Sequence, residues 1–444
     1  MHRDMGRLEE RLDSFHLPHR RQALRDLLTM VEQGQIALPE VSAQVNLHCH
    51  TFFSYNAYGY SPSKFAWLAR KRGLAVAGIA DFDVLDGLQE FLDAGRALAL
   101  KGCCGMETRV FVPQFADYVI NSPGEPGISY HMGVGFPTAD LSSPLQDFVC
   151  RLRQTASQRN RELLARVNEY LDPVVLDYDA DVLPLTPSGN ATERHICLAY
   201  ACRARDVYPA DAELAAFWAQ KLGVDGATLD LPQGTGLQQL IRAKTMKQDG
   251  VGYVQPDAGA FPRLEETNQF ILAAGGIPTH TWLDGTSEGE QRIEELLRVE
   301  IDTGVSAINV IPDRNYTPGA QDVKLRNLYE VVAVADRLHL ILVVGTEMNG
   351  PGQKFVDDFA SEELVPLAPS FIKGAYIVYA HSVLQGRLGL GYTSGWARNH
   401  FPQRKQRNEF FEALGRTLRA DRENRLADLG PEAAPDAILS WATG

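Results

Sequence analysis

From Gln44 to Glu347, short apolar runs alternate with segments of helical period, and no other feature narrows the fold as much. The runs "QVNLHCH", "LAVAGIADFD", "METRVFV", "SYHMGVGF", "GGIPTHTWL", "SAINVIP" and "LHLILVVGTE" read as strands. "PSKFAWLARKRG", "VLDGLQEFLDAGRALA", "EGEQRIEELLRVEIDTG" and "DVKLRNLYEVVAVADRL" read as helices. The first of these helices has Ser61 as N-cap, Pro62 behind it, and Gly73 as its stop. Strands apolar along their whole length need cover on both faces, so the pattern predicts a parallel sheet clothed by helices. About seven such units close into a barrel. The fold class expected is α/β, a distorted TIM-like (β/α)7 barrel with an inserted helical subdomain.

The insertion is predicted where the alternation stops, from about Ala139 to Arg263, with the helical patterns "LRQTASQRNRELLARVNEYL" and "DAELAAFWAQKLG". A lid or substrate wall is its expected use. The boundaries read as an N-terminal helical segment at 1–40, the barrel at 41–400 with the insertion at about 139–263, and a C-terminal helix and tail at 401–444. Sequence does not say whether the terminal helices pack on the barrel or on a second subunit, so an oligomer is left open.

Charge and cysteine content restrict the function. A net charge of -13 opposes stable binding to nucleic acid, which needs a basic face to displace counterions, and favours a small-molecule partner. Cys49, Cys103, Cys104, Cys150, Cys197 and Cys202 contain no C-x-x-C zinc pair and no secreted-type framework, so reduced thiols in a cytoplasm are expected. The opening "MHRDMGRLEERLDSFHLPHRRQ" has no apolar signal core, and no run approaches the roughly twenty apolar residues of a membrane helix. A cytoplasmic protein with no membrane association is expected.

Polar residues collect at the strand ends, which in such a barrel form the functional rim. His48 and His50 end the first strand, Asp81 and Asp83 the second; Glu107 lies in the third, His131 in the fourth, His280 near the end of a later one, and Glu347 at the end of the last. Residues i and i+2 of a strand share a face, so His48 and His50 can meet at one ion with Cys49 turned away. An isolated H-x-H is more often an ordinary strand-end pair. Here the added carboxylates and histidines favour a site for zinc, iron or manganese, with room for two ions.

The stretch "NLHCHTFFSYNAYGYSPSKFAWLARKRGLAVAGIADFD" resembles the opening of the PHP (polymerase and histidinol phosphatase) family of metal-dependent phosphoesterases, whose second strand usually ends Thr-Asp-His-Asp. "GMETRV" is similar to its Gly-x-Glu motif, "YHMGVGF" to its next histidine strand, "IPTHTW" to its Ala-His-Pro strand, and "VGTEMNG" to its closing Gly-Ser-Asp-x-His-Gly. "ERHICLAYACRA" is similar to the Arg-Pro-His helix start in the insertion of freestanding members. The resemblance runs in order from about Val45 to Gly350 and implies a seven-stranded β/α barrel with up to three metals.

It also implies the ligands. One metal would take His48, His50, Glu107 and Glu347, the last an Asp lengthened to Glu; a second would share Glu107 and take His131 and His280. At the three positions of the third metal stand Asn56, Phe82 and Asn349, so two divalent ions, zinc, manganese or iron, are expected and the third is not. Asp81 is expected to orient a ligand histidine or act as a base, with loop capping as its bland alternative. Arg194 and His195 are expected phosphate contacts, or helix-terminus residues. For Asp83, Asp284, Arg314, Lys354 and His381, turn, surface or core roles are the default. The function expected is a metal-dependent hydrolase, a phosphoesterase acting with a two-metal-activated water on a small phosphorylated metabolite or nucleotide. The alternatives are a hydrolase of another bond and an inactive metal- or ligand-binding barrel.

Overall fold

A computed structural model describes residues 2–316 and 321–444. It contains one seven-stranded sheet in the order β1 (Val45–Cys49), β2 (Val76–Phe82), β3 (Lys101–Phe111), β4 (Ile128–Val134), β5 (Ile277–Thr281), β6 (Ala307–Val310) and β7 (Ile341–Val344). A parallel bridge between Cys49 and Glu347 joins the two edges, which makes the sheet a distorted TIM-like barrel. Each strand pairs in parallel with its neighbours except β4, which is antiparallel to both β3 and β5.

The reversed β4 departs from the all-parallel sheet expected from sequence. A parallel neighbour requires a crossover of a dozen or more residues, usually a helix. The link between β3 and β4 carries Pro113, Pro123, Pro126, Gly124 and Gly127 and forms only the short 3-10 turn Pro113–Phe115, so the chain folds back.

The chain forms two compact units: Met1–Thr51, Asn56–Gln146 and Phe261–Gly444 make the first, and Phe52–Tyr55 with Asp147–Ala260 the second. The second is helical, with Tyr200, Leu214, Trp218 and Ile241 in its core. In the first, Val45 and Leu47 of β1 join one large apolar cluster with β6, β7 and the helix Ala368–Leu388, while Asn46 and His48 occupy the opposite face of the strand. That helix lies on β7, β1, β2 and β3, and packs so closely that a side chain at Gly374 would strike the Leu342 carbonyl. The helices His2–Arg11 and Leu17–Glu32 belong to the same unit; Arg20 Nε donates to Glu90 Oε1 (2.8 Å), and the Trp67 indole donates to Glu9 (2.7 Å). No helix of the described residues is long and apolar enough to cross a membrane.

His381 is fully buried in the helix Ala368–Leu388. Its Nε2 donates to the Gly275 carbonyl (2.9 Å) and its Nδ1 accepts the Tyr392 N–H (2.9 Å). Only neutral imidazole satisfies both bonds, because a second proton would point at another donor. Burial presses its pKa down to about 4, from an ordinary value of 6.5. Between those values the unfolded chain binds the extra proton, so stability is present above pH 6.5 and is lost as pH falls toward 4. The unfolding free energy of the natural protein is expected to drop between pH 7 and pH 5, and in His381→Leu that drop should be smaller by about 2 kcal/mol. Urea denaturation of both proteins at the two pH values measures this; equal drops would show that His381 is not the group involved.

Candidate metal centre

The end of β1 is positioned by bonds to the end of β7. Asn46 donates to Thr346 Oγ1 (2.9 Å) and to the Phe355 carbonyl (2.8 Å), and its Oδ1 accepts the His48 N–H (3.1 Å). Glu347 N–H donates to the His48 carbonyl and His50 N–H to the Glu347 carbonyl, both at 2.8 Å. Gly345 leaves the room for this approach, since a side chain there would overlap the His48 backbone. Asp81, at the end of β2, accepts both the N–H (2.7 Å) and the hydroxyl (2.6 Å) of Thr51, the residue after His50. Its carboxylate therefore holds the chain at the histidine pair. Cys49 is buried and turned toward the His50 carbonyl, 3.3 Å away.

His48, His50 and Glu107 converge as one buried group. His48 Nε2 lies 3.3 Å from His50 Nε2, and Glu107 Oε2 lies 3.4 Å and 3.1 Å from these two nitrogens. Ligand atoms about 2.1 Å from a common ion stand roughly 3.0–3.4 Å apart for bond angles between about 90° and 110°, so the three contacts have the spacing of a coordination shell. Glu107 Oε2 and His48 Nδ1 are buried with no hydrogen-bond partner among the described residues. Burial opposes charge on both, yet their mutual attraction prevails, holding Glu107 below the usual carboxylate range and His48 above the usual imidazole one. Phe82 stacks on the His50 ring (centroids 4.7 Å apart, planes 17° apart) and fixes its plane.

His131 and His280 are register partners across β4 and β5, outside that three-residue group. Asn268 donates through Nδ2 to Thr303 (2.8 Å), so its Oδ1 is an acceptor, and His131 Nε2, 2.6 Å from it, must carry the proton. His280 Nδ1 lies 3.1 Å and 3.0 Å from the two oxygens of buried Glu300 and donates to that carboxylate. The other ring nitrogens, His131 Nδ1 and His280 Nε2, are buried with no partner among the described residues. Leaving such a buried nitrogen unmatched costs about 1–3 kcal/mol. The donor set of His48, His50 and Glu107 fits a divalent ion. His131 and His280 lie on the other face of the sheet, since Glu107 registers with Met132 and Thr108 with His131.

Glu347 is placed differently from the rest. It and Met348 both have left-handed backbone (φ 60° and 54°), a strained conformation for residues with side chains. Its Oε2 accepts from Arg314 Nη2 (2.7 Å) and Gln353 Nε2 (3.2 Å), and the carboxylate is not one of the three converging groups. The Asn56 amide donates to the His50 carbonyl (2.8 Å), and its oxygen accepts the N–H groups of Tyr58 (2.8 Å) and Tyr60 (3.2 Å), so it organises the loop after β1. Asn349 is half-buried. Asp83 accepts from Thr108 (2.6 Å), Asp284 pairs with Lys324 (2.8 Å) and Lys354 with Asp313 (2.8 Å).

Arg194 and His195 belong to the second unit, at the start of the helix Glu193–Val207. His195 Nδ1 accepts the Thr192 N–H (3.1 Å) and so caps that helix, and burial lowers the ring's pKa to about 4. Arg194 lies over the Tyr55 ring at 5.5 Å.

Two residues of consequence, Asn268 and Glu300, were not singled out from sequence, and Arg314, which lies near a strand end and could face the pocket, was given a turn or surface role by default. For the first two a signal existed. Asn268 lies on the buried stripe Leu264, Thr267, Asn268, Ile271 and Glu300 on the stripe Leu296, Leu297, Glu300, each a polar residue at a helical position meant for an apolar one.

No protein-family model and no curated protein matches the chain. Among solved structures, it is similar to an amidohydrolase from Chromobacterium violaceum with bound sulfate (18% identity, covering 70% of this chain and 88% of that one, TM-score 0.48). It is also similar to a protein from Bifidobacterium adolescentis assigned provisionally as a metal-dependent phosphoesterase (19% identity, covering 74% of this chain and 97% of that one, TM-score 0.48).

Unmatched ring nitrogens make the site a place where a bound ion adds stability. Manganese or zinc at about a hundred times its dissociation constant should add about 2.7 kcal/mol, raising the melting temperature by roughly 2–4 °C, with reversal by EDTA. His48→Ala and His280→Ala should shrink the shift and Cys49→Ala should not; differential scanning calorimetry with and without metal reads all four proteins.

Proposed function

We propose that the protein is a metal-dependent hydrolase acting on a phosphate ester of a small molecule, with two divalent ions and no third. The observation that carries this reading is the convergence of His48 Nε2, His50 Nε2 and Glu107 Oε2 within 3.1–3.4 Å of one another in a fully buried setting. A second ion, which the resembled family's pattern gives to Glu107, His131 and His280, would have to bind at the two histidines apart from Glu107, which lies on the other face of the sheet. Absence of a third ion follows from Asn56, Phe82 and Asn349 at the positions where the resembled family places ligands.

A divalent ion in such a setting supplies Lewis acidity toward a phosphoryl oxygen and lowers the pKa of a coordinated water toward neutrality. The chain's own contribution is orientation and charge. Glu107 brings the negative charge that would hold a cation beside His48 and His50. Asp81, through Thr51, and Phe82, by stacking, keep His50 from rotating out of the shell. Glu300 and Asn268 hold the other two histidines through one ring nitrogen each. His131 and His280 so held are better ligands than free imidazole, because the proton they do carry is already committed to an acceptor.

Purified full-length protein is expected to carry at least one equivalent of transition metal after growth in supplemented medium. It should then hydrolyse a phosphate monoester or nucleotide from a manganese-supplemented substrate panel. Glu107→Gln is expected to lower kcat/KM by roughly 10²-fold or more, by removing the charge that holds the ion beside His48 and His50. Metal content well below one equivalent would remove the hydrolase reading altogether. Full metal content with no turnover of any phosphate ester would leave hydrolysis of another bond, or ligand binding, in its place.

A further inference from the structure

Arg314 is the last residue of the 3-10 turn Pro312–Arg314, just after β6. That turn is built rather than loose. Pro312 is buried, and Asn315 is fully enclosed, with its amide donating to the Ile311 carbonyl (2.9 Å) and the Leu283 carbonyl (3.2 Å). Asp313 beside it is matched by Lys354 at 2.8 Å, so the neighbouring acid does not claim the arginine. The Arg314 side chain runs to the buried Glu347 carboxylate yet keeps 43% of its own surface exposed. Its charge is felt first by Glu347 and also by Tyr130 and Glu107, which places it on the same side of the barrel as the metal-ligand group.

Guanidinium has five N–H donors in a planar fork. One of them, on Nη2, is used on Glu347 Oε2. We propose that Arg314 is the oxyanion-recognition residue of this site: anchored on Glu347, it presents its remaining donors to a phosphoryl oxygen of the substrate. The ion pair with Glu347 sets the plane of the fork before the substrate arrives, so little freedom is lost on binding. Charge balance allows it. One divalent ion together with Arg314 balances Glu107, Glu347 and Asp81, so an anionic substrate group meets no uncompensated carboxylate there. This assignment rests on the proposed function for its substrate class, and the experiment separates the two.

Inorganic phosphate is the probe, titrated calorimetrically into the manganese-loaded full-length protein and into Arg314→Met and Arg314→Lys. Manganese stoichiometry and melting temperature are measured on the same samples. Arg314→Met is expected to keep the manganese content of the natural protein, at a melting temperature lowered by the buried Glu347 carboxylate left without its cation, while losing phosphate affinity on the order of ten- to a hundredfold, with Arg314→Lys in between. Unchanged phosphate affinity in Arg314→Met overturns the assignment, as does absence of phosphate binding by the natural protein. Loss of manganese in step with phosphate overturns it too, since Arg314 would then serve the metal shell. Should Arg314→Met fail to fold, the same comparison is read from Arg314→Lys, where phosphate affinity equal to the natural protein's is the contrary result. A natural protein that takes up no manganese defeats the proposed function alone; phosphate binding to metal-free protein, and its loss in Arg314→Met, still decides the role of Arg314.

Discussion

Two backbone hydrogen bonds govern the geometry of everything around the candidate centre: Glu347 N–H to the His48 carbonyl and His50 N–H to the Glu347 carbonyl. They close the barrel by joining its first strand to the segment after its last. The same two bonds place the histidine pair against the residue that carries the Glu347–Arg314 ion pair. A barrel of this kind has few free edges, so closure and site assembly are one event here. The left-handed backbone at Glu347 and Met348 is tolerated because the closure holds it, with the Met348 carbonyl further tied to Ala57 N–H (2.8 Å).

Around that seam the polar groups divide into those that are matched and those that are not. Asp81, Asn46 and Asn56 spend their hydrogen bonds on loop and strand ends, so they are the frame. His131 Nδ1 and His280 Nε2 are equally buried and have no hydrogen-bond partner among the described residues. Buried polar atoms are nearly always satisfied in folded proteins, and unmatched nitrogens of this kind are places where a bound cation would add stability. The matched residues make the unmatched ones rigid. That is the condition under which a metal can bind without the chain reorganising.

The positions that differ from the resembled family have settled into new work. Phe82 stacks on His50, and Asn56 stitches the loop after β1, so neither is an empty remnant. Glu347, longer than the expected Asp, meets a cation that the chain itself supplies. A guanidinium bound to a carboxylate is a fixed, weakly hydrated charge, and it differs from a metal in being unable to activate water.

Strand and helix periods are local properties, and so they were legible: the seven strand runs, the shared face of His48 and His50, and the enclosure of Cys49 all follow from spacing along a few residues. Polar residues on buried helical stripes, Asn268 and Glu300, left a trace in the sequence as well, but one whose meaning depends on which ring each helix meets. Tertiary structure alone decided the rest. The direction of β4 depended on a link unable to form a crossover helix. The free nitrogen on each histidine depended on Asn268 and Glu300, 137 and 20 residues away. The partner of Glu347 lay 33 residues back, across two neighbouring strand ends. Spacing specifies where a side chain points; what it meets there is set by segments that only the closed barrel brings together.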